Sequence, residues 1–247
     1  WEETVIQARK TMPALIKRAY LSENLEENVR NYGSSLEFKE ILALLSKEKQ
    51  GCKLLDIGSG NGITAINLAL NGYNVVAVEP DPSDSVGAGA VEYLKKSFSL
   101  SNIDIVNKTA EDFKSKERFD IIFMRQSLHH ADNLNEFVRN LSEHLKKGGL
   151  FVAVREHVVF DEEDKGLFLK NHPLNKYYFG ENAYNLNEYI EVFTLAGLEK
   201  LKIIRFFDSP INFYPMNRNF AKIMSGDGVV FKILRIIVKF GTGGKFL

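Results

Sequence analysis

Cysteine is nearly missing from this sequence: Cys52 is the only one in 247 residues. No internal disulfide can form, and stability has to come from a packed core. An excess of charge is missing too. Thirty-two basic side chains balance thirty-two acidic ones, so no global field draws the chain to nucleic acid, and phosphate-driven binding would need a local patch. No internal repeat divides the chain, and no charged leader followed by a small-residue cleavage site opens it at Trp1. A reducing, cytoplasmic setting is therefore expected. What remains is ordinary for one large globular domain, with 45% hydrophobic and 26% charged residues and enough apolar surface for a core.

Strand and helix signals alternate along the chain. Residues 1–50 are polar and read as a helical N-terminal cap, with the main domain over 51–247. Short apolar runs predict strands over Lys53–Ile57, Asn74–Glu79, Ile103–Asn107, Phe119–Met124 and Leu150–Arg155. Helices are expected over Ile63–Leu70, Val86–Phe98 and Leu134–Lys147. The last places Leu134, Phe137, Val138, Leu141 and Leu145 on one face, has Asp132 as its expected cap, and should stop at Gly148. Asn185 and Glu188 have capping-box spacing before a helix to Ala196 closed by Gly197, with a strand expected over Leu198–Phe206. The pattern implies an α/β, Rossmann-like doubly wound sheet, mostly parallel, with helices on both faces. Ligands of such sheets bind outside the carboxyl ends of the strands, where the strand order reverses.

One loop falls there. The stretch Asp56-Ile57-Gly58-Ser59-Gly60-Asn61-Gly62 leaves the first strand and enters a helix. Its glycines permit positive φ and let a ligand lie against bare backbone. A dinucleotide fingerprint would need a third glycine at Ile63, and it usually lacks an acid where Asp56 stands. An acid there suits a ligand with an ammonium group. Glu79 closes the second strand, where a carboxylate can accept from both hydroxyls of a ribose. A nucleoside joined to an amino acid satisfies both.

The ordered set LLDIGSGNG, VVAVEPD, TAEDF, FDIIFMRQSLHH and EHLKKGG, running within Lys53–Phe206, resembles the class I S-adenosylmethionine-dependent methyltransferases. The resemblance implies a seven-stranded type of sheet, whose last strand is missing here or only begun at Lys245–Leu247. It implies S-adenosylmethionine as cofactor, with Asp56, Gly58, Ser59 and Gly60 around its methionine end and Glu79 at the ribose. Pro80 and Asp81 would flank the adenine, Ala110 and Glu111 would sit at its edge, and Arg125 and Gln126 would lie along the methionine moiety through backbone. Thr109 stands where the family often has an aspartate.

Methyl transfer is an in-line displacement, and a hydroxyl acceptor must lose its proton. His129 and His130 follow the fourth strand, where an imidazole suits that task; His130 is favoured on position, and the alternative is that one histidine packs under the loop or hydrogen-bonds a backbone carbonyl. Arg155, Glu156 and His157 end the fifth strand, with Glu156 and His157 as further catalytic candidates. The segment 157–185 is longer than a connection requires and reads as an inserted substrate lid. Arg155, His172, Tyr177, Tyr178 and Asn182 are the expected substrate contacts, with Lys176 and Glu181 as further polar groups, against a plain surface lid facing water. No metal is expected, because a matching acidic cluster is absent from the end of the fourth strand.

The sequence therefore predicts an S-adenosylmethionine-dependent methyltransferase acting in-line on O, N or C of a small metabolite or sugar-like acceptor. No nucleic-acid partner is expected, since RQSLHH stands where such enzymes carry an N/D-P-P-Y/F/W motif. The rival readings are a nicotinamide-dependent oxidoreductase and a non-catalytic S-adenosylmethionine-binding module. The run Val229–Phe240 has a narrow basic stripe of Lys232, Arg235 and Lys239. It is expected to pack on the sheet in preference to making peripheral contact with a membrane.

Overall fold

Runs rich in valine and isoleucine, too short to be helices and apolar on both sides, suit strands covered on two faces. In the computed structural model, which describes residues 2–45, 51–172, 175, 180–199, 202–205 and 208–213, they form one parallel sheet. Its strands are β1 (Lys53–Ile57), β2 (Asn74–Val78), β3 (Ile103–Val106), β4 (Phe119–Arg125) and β5 (Leu145–Val154), in the order β3-β2-β1-β4-β5. The order reverses between β1 and β4, so a crevice opens at their carboxyl ends.

The two-residue period of a strand sorts the core into two halves. Leu54, Val75, Ala77, Ile121 and Phe123 face one way, against α3 (Leu25–Gly33), α4 (Leu36–Leu45), α5 (Ile63–Leu70) and α6 (Ala88–Ser97). Leu55, Ile57, Val78, Ile122 and Met124 face the other way, against α7 (Leu134–Ser142) and α9 (Leu186–Leu195). Each such side chain contributes about 1.5–3 kcal/mol by leaving water. The same alternation puts Asp56 and Arg125 on the α3–α4 side, below the crevice. The chain opens with α1 (Glu2–Thr11) and α2 (Pro13–Arg18), and Asn61 donates to the Tyr20 carbonyl at 2.6 Å, tying the N-terminal helices to the glycine loop.

Three expectations need correction. The helix after β4 ends at Ser142 and not at Lys147, and Leu145 pairs with Phe119 as the first residue of β5. The register then passes from Phe119↔Leu145 to Ile121↔Leu150, so the intervening Lys-Lys-Gly-Gly makes a bulge. Gly148 takes φ +77 there and Gly149 lies against the Asp120 carbonyl, where an added Cβ would come within 2.8 Å. These glycines serve a strand irregularity rather than a helix stop. Second, Asn133, not Asp132, caps α7, accepting from the Glu136 N–H at 3.1 Å. Third, the described residues of Leu198–Phe206 (198, 199 and 202–205) form no strand. The capping box at Asn185 and Glu188 is present. The C-terminal stripe and Lys245–Leu247 lie outside the described residues.

After β5 the chain forms β6 (Val158–Val159), α8 (Glu162–Asn171) and β7 (Tyr184–Asn185), with β6 and β7 paired parallel. This ribbon brings His157 and Glu181 back over the carboxyl ends of β4 and β5. Among the described residues, no helix is long and apolar enough to cross a membrane.

Candidate functional site

A cavity of about 1050 Å³ lies over the crevice, bordered by both turns of the glycine loop, the ends of β2 and β4, and the segment after β5. At one end, backbone does most of the shaping. Gly58 (φ +70), Gly60 (φ +54) and Gly62 (φ +80) all sit in the left-handed region. A Cβ on Gly58 would approach the Ser127 Cβ to 2.6 Å, whereas one on Gly60 would meet nothing within 4 Å, so Gly60 faces open space. Glu79 closes the loop from β2: its Oε2 accepts from the Gly60 N–H at 2.7 Å and its Oε1 from the Asp81 N–H at 3.0 Å. Burial raises the Glu79 pKa despite those two donors.

Asp56 lies beneath. Its Oδ2 is buried without a hydrogen-bond partner, and burial, reinforced by the neighbouring Glu79, raises its pKa to about 7. A buried carboxylate in that state lacks a paired cation. The charge of Arg125 offsets the burial of Asp56 only in part, because the Arg125 Nε binds the Glu37 Oε1 at 2.7 Å while Arg155 binds the Glu37 Oε2 at 2.6 Å. Glu37 has no exposed surface, and the Tyr32 hydroxyl also donates to it at 3.2 Å. Arg155 reaches this place from the end of β5 because its φ of +61 turns the chain.

Imidazoles and carboxylates build the other end. Leu128–His130 form a single 3-10 turn after β4. Glu156 accepts from the His129 N–H at 3.0 Å and pairs with its Nδ1 at 2.7 Å, and His129 Nε2 points toward the Glu181 Oε2 at 3.6 Å. Burial opposes charge on His129, yet the hydrogen bond to Glu156 and the nearby carboxylate of Glu181 outweigh it and raise its pKa to about 9. His157 stacks on His129 with ring centroids 3.9 Å apart. Burial, and then the charge on His129, lower the His157 pKa to about 4, so it is neutral near pH 7. Burial lowers His172 as well. His130 lies on the rim and donates from Nδ1 to the Gly180 carbonyl at 2.6 Å.

Residues 26–203 match the methyltransferase-domain family. The chain belongs to that family. A ubiquinone biosynthesis O-methyltransferase of Rickettsia canadensis is 26% identical over 153 residues, which cover 60% of this chain and 62% of that protein. Matches to enzymes of the same name from other Rickettsia species span between 36% and 64% of their lengths. A crystal structure of a Bacillus halodurans protein superposes with a TM-score of 0.56 at 20% identity, covering 79% of this chain and 87% of that one. The [4+2]-cyclase SpnF superposes with a TM-score of 0.55 at 18% identity, covering 67% of this chain and 57% of that one. Both structures speak for the fold alone. The family speaks for a methyltransferase domain and against the nicotinamide reading.

The site fits S-adenosylmethionine chemically. Asp56, which lacks a paired cation, matches an ammonium, Glu79 keeps a free lone pair on each oxygen for a hydroxyl, and the open face of Gly60 admits a ligand against backbone. Of the positions expected from sequence, Asp56, Gly58, Ser59, Gly60, Glu79, Pro80, Asp81, Ala110, Glu111, Arg125 and Gln126 all border the cavity, as do His129, His130, His157 and His172. Gln126 takes φ +55, exposing backbone at the end of β4. Glu156 sits behind His129. Arg155 is held by Glu37, and the side chain of Asn182 is taken up by Ala183 N–H and the Tyr184 hydroxyl. Tyr177 and Tyr178 lie outside the described residues. Sequence reasoning missed Glu37 and Ser127. Glu37 carries no motif, but Ser127, whose hydroxyl donates to the Ile57 carbonyl at 2.8 Å, stood in view next to Leu128-His129-His130.

Proposed function

We propose that this methyltransferase alkylates a hydroxyl of a small-molecule acceptor, with Asp56 at the ammonium of S-adenosylmethionine, Glu79 at its ribose, and Pro80, Asp81, Ala110 and Glu111 around its adenine. The bound cofactor supplies an electrophilic methyl on a sulfonium. Everything else falls to the chain. Backbone at Gly58, Gly60, Arg125 and Gln126 would hold the methionine end, beside the imidazole end of the cavity where an acceptor would be placed. Residues 157–185 act as the lid, and the N-terminal helices, which contribute Glu2, Glu3, Ala19 and Leu21 to the lining, close the cavity from the other side.

The observation that carries the reading is the bond from His130 to Gly180. Donation from Nδ1 leaves Nε2 as the nitrogen directed at the cavity, the position from which a general base would take the acceptor proton. His129 does not suit that task near neutral pH, since Glu156 and Glu181 keep it charged. The name of the Rickettsia relatives supports oxygen as the acceptor atom, and the balanced charge of the chain supports a small molecule over nucleic acid.

The test begins with phenols, sugars, polyols and amines screened for release of S-adenosylhomocysteine. With the best acceptor, His130→Ala should lower kcat by about a hundredfold to ten-thousandfold. Its affinity for S-adenosylhomocysteine should stay near that of the parent. Unchanged turnover would remove His130 as the base, and methylation of amines alone would overturn the hydroxyl reading.

A further inference from the structure

The imidazole end of the cavity holds a group whose needs methyl transfer does not explain. Glu181 Oε2 is shut off from solvent and has no hydrogen-bond partner among the described residues. It lies 3.6 Å from His129 Nε2 and 3.7 Å from His157 Nδ1, beyond hydrogen-bonding range of both. Its side chain is 6% exposed and that of His129 1%. Leaving a buried carboxylate oxygen unsatisfied is costly. Two aromatic nitrogens and one carboxylate oxygen thus lie close together with no hydrogen bond among them.

We propose that His129, His157 and Glu181 bind one zinc ion. One ligand atom from each residue lies within 4.8 Å of the other two. Zinc held tetrahedrally at about 2.0–2.1 Å places its ligand atoms roughly 3.3–3.4 Å apart, so the set closes when the two imidazoles draw in from 3.6 and 3.7 Å and tilt out of their 3.9 Å stack until both lone pairs face the ion, His129 releasing its Nε2 proton. His157 Nδ1 would release its long contact to the Asn182 carbonyl at 3.3 Å.

The surroundings match as well. Glu156 holds His129 Nδ1 at 2.7 Å and so directs Nε2 at the centre, the role a carboxylate plays behind a metal-bound histidine. Two imidazoles select against magnesium and calcium, which prefer oxygen. Two histidines and one glutamate also leave a coordination position open, as in zinc sites that bind a water or a substrate oxygen. His129 and His157 border the cavity. That position therefore faces the space assigned to the acceptor, though the metal site itself does not rest on the acceptor reading.

The experiment needs neither acceptor nor turnover. The full chain, stripped with a chelator, is titrated with zinc by calorimetry and with cobalt(II) by visible absorption. One equivalent of each should bind, and cobalt should give the d–d bands of a four- or five-coordinate site. His157→Ala and Glu181→Gln should each weaken zinc binding by at least about tenfold to a hundredfold, the loss seen when only an orienting partner of a ligand is removed. Both variants should keep their affinity for S-adenosylhomocysteine, which reports an intact fold. Should His157→Ala lose that affinity, Glu181→Gln decides. Absence of saturable zinc binding, or binding that neither substitution alters, would overturn the site. Loss of S-adenosylhomocysteine binding by the parent chain would instead strike at the methyltransferase reading.

Discussion

The two ends of the cavity are built by different means. Between positions 56 and 81, the cofactor end is shaped by main chain: three glycines with positive φ, and two N–H groups fastened to one carboxylate, Glu79. At the acceptor end, side chains from four separate stretches meet: His129 and His130 after β4, Glu156 and His157 after β5, His172 after α8, and Gly180 with Glu181 before β7. A surface made of local backbone depends on few distant contacts. One made of imidazoles and carboxylates depends on every element that brings them together, and its charges are set by its neighbours, as the opposite displacements of His129 and His157 show.

The strongest test of that contrast is Glu79→Ala. Removing two charge-assisted bonds of about 1.5–3 kcal/mol each should cost about 3–6 kcal/mol of cofactor affinity. Calorimetry should show the loss in a folded protein. If the acceptor KM rose in parallel, the ends would not be separable.

Glu37 joins the two ends by holding Arg125 from β4 and Arg155 from β5. Glu37→Ala leaves two buried guanidinium groups without their anion and should lower unfolding stability by about 3–5 kcal/mol in denaturant titrations. A loss below about 1 kcal/mol would mean that the carboxyl ends of these strands are held by packing alone.

Gly58→Ala should cost about 1–3 kcal/mol of stability from its φ of +70, in addition to the clash with Ser127. Adding Ser127→Gly should recover the clash and leave the strain. Thermal unfolding of the single and double variants separates the two. Full recovery would show that φ is unimportant there.

The smallest effect is a slope. With an unliganded pKa of about 7, Asp56 must lose its proton to meet an ammonium, so cofactor affinity should fall about tenfold per pH unit below 7 and level off above it. The free protein should show the opposite trend. Because the folded pKa lies above the ordinary carboxylate value, ionising Asp56 disfavours folding, and stability contributed at acid pH declines as pH rises from about 4 to 7. Asp56→Asn should abolish both dependences. A pH-independent affinity in the parent would remove the ammonium contact.

Most of the sheet and the glycine loop beside Glu79 could be read from residue order, since strand runs, positive-φ glycines and a strand-end acid are local properties that the backbone enforces wherever the segment lies. Local reading failed where glycine has more than one use: Gly148 and Gly149 signal a helix stop as readily as the bulge they form. The acceptor end was visible as a set of polar residues, but nothing in sequence spacing shows that Glu181 returns between His129 and His157, that Arg155 turns away to Glu37, or that Glu156 stands behind His129 rather than in the cavity. Those outcomes depend on contacts across dozens of residues, and on burial that raises one imidazole and lowers its stacked neighbour. Chain order by itself determined a parallel sheet and a glycine loop at its carboxyl edge; tertiary packing decided that His129 is raised, that its stacked neighbour His157 is lowered, and that both lie beside the Glu181 carboxylate, because desolvation and charge proximity exist only once the strands have been brought together.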